Sequence, residues 1–204
     1  MNKMLKLAIL GVAACGVFAL TGCGGDKAAS SAASSAAGQG ALLQKIKKDG
    51  KLVVGTAPGF PPYEFLDTSV KDKKSITGID IKIAEAVAKK LGVKLEVQDM
   101  TFQSLLASIT TGKIDIAISA ITPTAEREKT VDFSDSYLVG KHTLLVRKED
   151  AGKYKTLSDF NGKKIAVQKS SLQEKLTNEQ IKDAQVVALT KVPDALLELQ
   201  QGKV

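Results

Sequence analysis

Thr122, Pro123 and Arg127 fall together in the stretch AITPTAERE, directly after the apolar run IDIAIS. Threonine before proline is a helix start: the hydroxyl caps the first turn, and proline has no N–H to leave unpaired. The free N–H groups of such a turn and the helix dipole favour an anion. Arg127 sits in the same predicted first turn, where a cation is disfavoured unless it has a partner. A planar guanidinium grips a carboxylate through two parallel hydrogen bonds. Thr122 Oγ1 and the N–H groups around Ala120 and Thr122 could bind the same oxygens. These residues therefore read as a carboxylate-binding pocket beyond the carboxyl end of a strand, where open α/β sheets take their ligands. The competing reading is surface pairing of Arg127 with Glu126, Glu128 or Asp132.

The elements that must position this pocket alternate along the chain. Residues 51–56 read as a short apolar strand, and Pro58, Pro61 and Pro62 rule out regular structure until about Phe65. In IDIKIAEAVAKKLG, the residues Ile83, Ala84, Val87, Ala88 and Leu91 recur at helical spacing, with Gly92 as the stop. A strand over 93–98, a helical stripe of Phe102, Leu105, Leu106 and Ile109 closed by Gly112, and strands over 114–119 and 142–147 follow. After residues 157–160 the same grammar restarts, with a strand at 164–167, a helix from Ser171, a strand near 186–188 and a helix from Pro193. Strands alternating with helices predict parallel sheets with helices on their faces. LLASITTGKIDIAIS (105–119) and the terminal ALLELQQGKV (195–204) share the order helix, Gly-Lys, strand, but the second copy has a single strand residue. The sequence thus reads as truncated at the C-terminus, stopping as a strand begins.

The chain has 204 residues, and its first 22 read as an export signal: Lys3 and Lys6, then an apolar run over 7–20 that is short for a membrane span. The run ends Leu-Thr-Gly-Cys23, which resembles the bacterial lipobox, so Cys23 is expected to carry lipid. Residues 24–40 contain 14 Gly, Ala or Ser in 17 and read as a tether. The other cysteine, Cys15, lies within the signal, so the body has no thiol for a disulfide or a Cys-bound metal. Without Lys3 and Lys6 the chain has 27 basic and 22 acidic residues, scattered without interleaved aromatics. That pattern fits solvated faces better than a nucleic-acid surface. No His/Cys/Asp spacing suggests a metal, no Gly-rich loop suggests phosphate, and no nucleophile–base pair stands out, so no cofactor and no catalytic residue is expected. His142, the single histidine, reads as a solvent-facing or satisfied strand residue, and Asp132 and Asp135 as turn and cap residues.

GIDIKIAEAVAKKLG, GKIDIAISAITPTAEREKTVDFSDSY and LSDFNGKKIAVQKSSLQEKL together resemble the polar amino acid-binding proteins of ABC importers. The resemblance runs over about 42–204. It implies an α/β, two-lobed, type 2 periplasmic-binding-protein fold, with lobe 1 over 41–147 and an incomplete lobe 2 over 148–204. It implies a monomer, anchored outside the cytoplasm through lipidated Cys23, that delivers an amino acid to the transmembrane subunits of a permease. The residue matching the family's carboxylate clamp is Arg127, assisted by Thr122 and the backbone of Ala120. Phe60 and Phe102 match the aromatics that enclose the ligand side chain, and Gln168, Ser171 and Leu172 match the contribution of lobe 2. Ser171 begins a second helix whose N-terminus suits an anion.

Two departures go with the resemblance. Ala57 stands where some cationic-ligand binders have an acid; Glu64 could supply that charge or be a solvated loop residue. The family's ligand-amine aspartate corresponds to a position past Val204. Basic, amide and small polar amino acids and cystine all remain open as ligands. Two other functions share the fold: a cyclohexadienyl dehydratase-like enzyme, for which Glu64 is the one candidate acid, and a ligand-sensing receptor subunit.

Overall fold

The computed structural model describes residues 40–69 and 75–204. The expected signal, Cys23 and the tether up to residue 39 lie outside the described residues. Among the described residues no helix is long and apolar enough to cross a membrane.

Helix α1 (residues 40–49) leads into β1 (Lys51–Thr56), the hairpin strands β2 (Phe65–Asp67) and β3 (Ser75–Thr77), and α2 (Ile79–Leu91). Then come β4 (Lys94–Asp99), α3 (Leu105–Thr110) and β5 (Ile116–Ala117). A three-stranded parallel sheet has the order β4-β1-β5, with Val54 paired to Val97 on one side and to Ile116 on the other. Successive side chains of β1 point to opposite faces. Leu52 and Val54 pack with Ile46 of α1 and with Ala84 and Ala88 of α2. Val53 packs with Leu105 of α3 and with Ile114. With both faces covered, the central strand is buried continuously from Leu52 to Thr56 rather than at alternate residues.

The second half holds β6 (Lys164–Gln168), α4 (Leu172–Gln180), β7 (Gln185–Leu189) and α5 (Val192–Gln200). Strands β6 and β7 pair in parallel, Ile165 opposite Val186. Their core is Ile165, Val167 and Ile181, covered in part by Leu144 and Phe160. The two similar stretches end in the same way. Lys113 N–H donates to Ser108 O and Lys203 N–H to Glu198 O, at 2.9 and 3.0 Å. Gly112 and Gly202 take φ of 69° and 68°, the left-handed stop that glycine allows without a Cβ penalty.

Three expected elements differ. The helix starting at Thr122-Pro123 is not formed; the only helical geometry there is a 3-10 turn over Arg127–Lys129. The turn begins at Arg127 with Glu126 as its N-cap, and the hydroxyl that serves this segment is Thr124, not Thr122: Thr124 Oγ1 accepts from Arg127 N–H and its carbonyl from Glu128 N–H. The strand over 114–119 shrinks to β5, with flanking bonds from Asp115 N–H to Val53 O and from Ile118 N–H to Gly55 O. Residues 142–147 form no strand, because no described segment offers them a ladder, and a strand exists only as a pairing.

Candidate functional site

The loop between β1 and β2 is held over the start of α2. Gly78 caps that helix with φ of 129°, and Ile79 and Asp80 N–H donate to Pro62 O and Tyr63 O, each at 3.0 Å. Two of the helix's free donors are thus satisfied by the loop itself. The same contact fixes Phe60, which stacks on Tyr63 at 5.2 Å between centroids, and Glu64.

Glu64 is buried, with 2 % of its surface exposed, and so is not the solvated loop residue that the sequence left open. Ser119 Oγ donates to Glu64 Oε1 at 2.9 Å and accepts from Ala57 N–H at 3.0 Å. Oε2 has no hydrogen-bond partner among the described residues. Burial pushes the Glu64 carboxyl up to about 9; the Ser119 bond opposes this, and the Asp80 carboxyl adds to it. Asp80, fully buried, accepts from Ala120 N–H at 2.8 Å and from Tyr137 Oη at 3.0 Å. Burial, then Asp80, raises the Tyr137 hydroxyl. Ala120 makes its bond to Asp80 at φ of 47°, a conformation unusual for a residue other than glycine.

Arg127 is half-buried. Its guanidinium lies 5.6 Å over the Phe102 ring and donates to Thr122 O at 2.8 Å and to Ser170 O at 3.1 Å. No ion pair joins it to Glu126, Glu128 or Asp132 among the described residues. Burial draws its pKa down and Glu126 opposes this, but a guanidinium keeps its charge at any physiological pH. Of its five N–H donors, the two carbonyls take two and three remain for a ligand.

Phe60, Glu64, Phe102, Ala120, Thr122, Arg127, Gln168 and Leu172 line one cavity of about 520 Å³. It runs on past Leu144, Val146 and Leu199 beside the second sheet. Ser171 is the exception. It is buried as the cap of α4, its Oγ accepting from Glu174 N–H at 3.1 Å, and does not line the cavity. The anion at that helix start is internal: Glu174 Oε2 accepts from Ser170 N–H at 2.6 Å. Sequence reasoning missed Asp80, Ser119 and Tyr137. Asp80 reads there as an acid in a helix first turn, which is normally exposed; its burial comes from the loop above it. No group of His, Cys, Asp and Glu suited to a metal occurs among the described residues.

The two parallel sheets and the cavity follow the type 2 periplasmic-binding fold. The chain belongs to the bacterial extracellular solute-binding proteins, family 3, whose model matches residues 52–203. It is 39% identical over 176 residues to the arginine-binding extracellular protein ArtP of Bacillus subtilis, covering 86% of this chain and 60% of that one. A substrate-binding protein of an amino acid ABC transporter from Streptococcus pneumoniae, solved bound to L-arginine, superposes with a TM-score of 0.77 at 42% identity, over 80% of this chain and 68% of that one. The ancestral amino acid-binding protein AncCDT-1, a precursor of cyclohexadienyl dehydratase, superposes with a TM-score of 0.75 at 36% identity, over 79% and 70%. The chain spans about 60% of the length of the curated relatives it matches. The family is extracellular, which places the chain outside the cytoplasm.

Proposed function

We propose that this protein captures an amino acid outside the cytoplasm and delivers it to the transmembrane subunits of an ABC importer. The observation that carries the reading is the convergence on one cavity of a half-buried guanidinium with free donors, two aromatic rings and a buried carboxyl. Arg127 binds the α-carboxylate, with Thr122 and the Ala120 backbone beside it. Phe60 and Phe102 flank the side chain. Gln168 and Leu172 close on it from a second lobe, beginning at residue 148, and Ser171 acts indirectly by capping the helix that carries Leu172. Glu64 faces the far end of the side chain and selects a cationic one. One relative named for arginine and one solved bound to L-arginine support that choice. Lipidated Cys23 and the tether through residue 40 hold a monomeric body at the membrane.

A thermal-shift screen of the twenty amino acids and L-cystine on the full chain tests this. Ligand binding to the native state raises stability by RT ln(1 + [L]/Kd). The expected result is an upward shift with L-arginine and a smaller one with L-lysine. Folded protein that shifts with no amino acid overturns the reading. Turnover of prephenate or arogenate would move it to an enzyme of the same fold.

A further inference from the structure

We propose that the Glu64–Asp80 carboxyl pair holds one proton in the ligand-free cleft and releases it to solvent when a cationic amino-acid side chain docks against Glu64. Capture of such a ligand is then an exchange of one cation for another. The inference rests on the proposed amino acid-binding function and deepens it.

The geometry carries the argument. Two carboxyl groups meet where β1, the loop after it and α2 converge, and adjacent residues anchor them: Ser119 Oγ holds Glu64 Oε1, and Ala120 N–H holds Asp80. Asp80 also takes the Tyr137 hydroxyl, whereas Glu64 has one donor and an oxygen with none. Two buried carboxyls at close quarters cannot both ionise without a cation. Among the described residues no cation bonds to either carboxyl. The ionisable group acting on Glu64 is Asp80 from α2; Tyr137, from the segment after the 3-10 turn, donates to Asp80, and Arg127, across the cavity, is bonded to the carbonyls of Thr122 and Ser170. The high Glu64 pKa agrees with a retained proton. A guanidinium or ammonium that enters the cavity supplies the missing positive charge, stabilises the ionised pair and expels the proton. A neutral amide side chain instead takes a hydrogen bond from the acid form and expels nothing.

Titration calorimetry of the full chain with L-arginine, near neutral pH in two buffers of different ionisation enthalpy, reads the exchange directly. The expected result is a buffer-dependent heat equal to about one proton released per arginine, with affinity rising about tenfold per pH unit below the Glu64 pKa. L-Glutamine should give no buffer dependence, and Glu64→Gln should abolish it for arginine. Arginine that binds with the same heat in both buffers overturns the exchange but leaves the binding function standing. Absence of any heat with arginine overturns both. The ¹³C titration of the Glu64 carboxyl in the ligand-free chain is an independent check: ionisation of Glu64 at neutral pH overturns the exchange even where arginine binds.

Discussion

Glu64 titrates far above an ordinary glutamate because burial, aided by Asp80, disfavours its charge. Its folded value of about 9 exceeds the reference 4.5. Between the two, the folded chain keeps a proton that the unfolded chain has lost. The contribution of Glu64 to stability is therefore full below the unfolded value and is lost as pH rises through the folded one, at up to about 1.4 kcal/mol per pH unit. Glu64→Gln removes this slope. Urea unfolding should show the variant close to the parent at the acid end of that window and more stable at the alkaline end; parallel curves at both ends would rule out a buried acid. Arg127 makes the complementary case. Charge-assisted hydrogen bonds contribute about 1.5–3 kcal/mol each, so Arg127→Ala is expected to weaken L-arginine binding by about tenfold or more. Arg127→Lys should recover little of it, because an ammonium cannot replace a planar fork. Calorimetry that finds the parent affinity in Arg127→Ala would remove the clamp.

At the scale of elements, the join between the β1–β2 loop and α2 decides where the site residues point. A Cβ on Gly78 would collide with the Tyr63 carbonyl, which is backbone and cannot swing aside, and the φ of 129° is unsuited to any other residue. Gly78→Ala is expected to cost about 1–3 kcal/mol in urea unfolding and to weaken ligand binding as well, since Glu64 follows Tyr63. A loss of stability without a loss of affinity would uncouple this joint from the site. Asp115 ties α1 and β5 to the central strand: its carboxylate accepts from Val53 N–H and Lys45 Nζ, both at 2.9 Å. Asp115→Ala leaves the buried Val53 donor unpaired and should cost about 1–3 kcal/mol. Lys45→Ala should cost less, because its amine is exposed. Equal losses in denaturation would show that the ion pair, not the strand bond, matters.

Over the whole molecule, Arg127 and Ser170 join the loop after β5 to the turn after β6, 43 residues apart in sequence. A ligand carboxylate on Arg127 and contacts from Gln168 and Leu172 would strengthen the same junction. Closure of this kind is a population shift, driven only by contacts that the closed form makes better. Hydrogen exchange with L-arginine should therefore slow in residues 119–127 and 168–173 together. Protection confined to the first stretch would mean that the second half takes no part in binding.

The sequence by itself determined β1, α2, β4, α4, β7 and α5 to within a residue or two. Each has a local signature: an apolar run, a 3.6-residue stripe or a glycine stop. Its order of strands and helices also fixed the parallel sheets. Short-range preference failed at Thr122-Pro123, where the neighbouring Thr124 rather than Thr122 accepts from the backbone of the following turn and no helix starts at Pro123. It failed again over 142–147, because pairing depends on a partner that the segment does not encode. The site divided in the same way. Arg127 was singled out by residue type and spacing and Phe60 and Phe102 by the family resemblance, and all three line the cavity. The burial of Glu64 and Asp80 was not, since nothing in EFLD or GIDI distinguishes a buried acid from a solvated one. Only the tertiary fold, by laying the proline loop across the first turn of α2 and Tyr137 over Asp80, removes water from both carboxyls, and that desolvation makes them a pair.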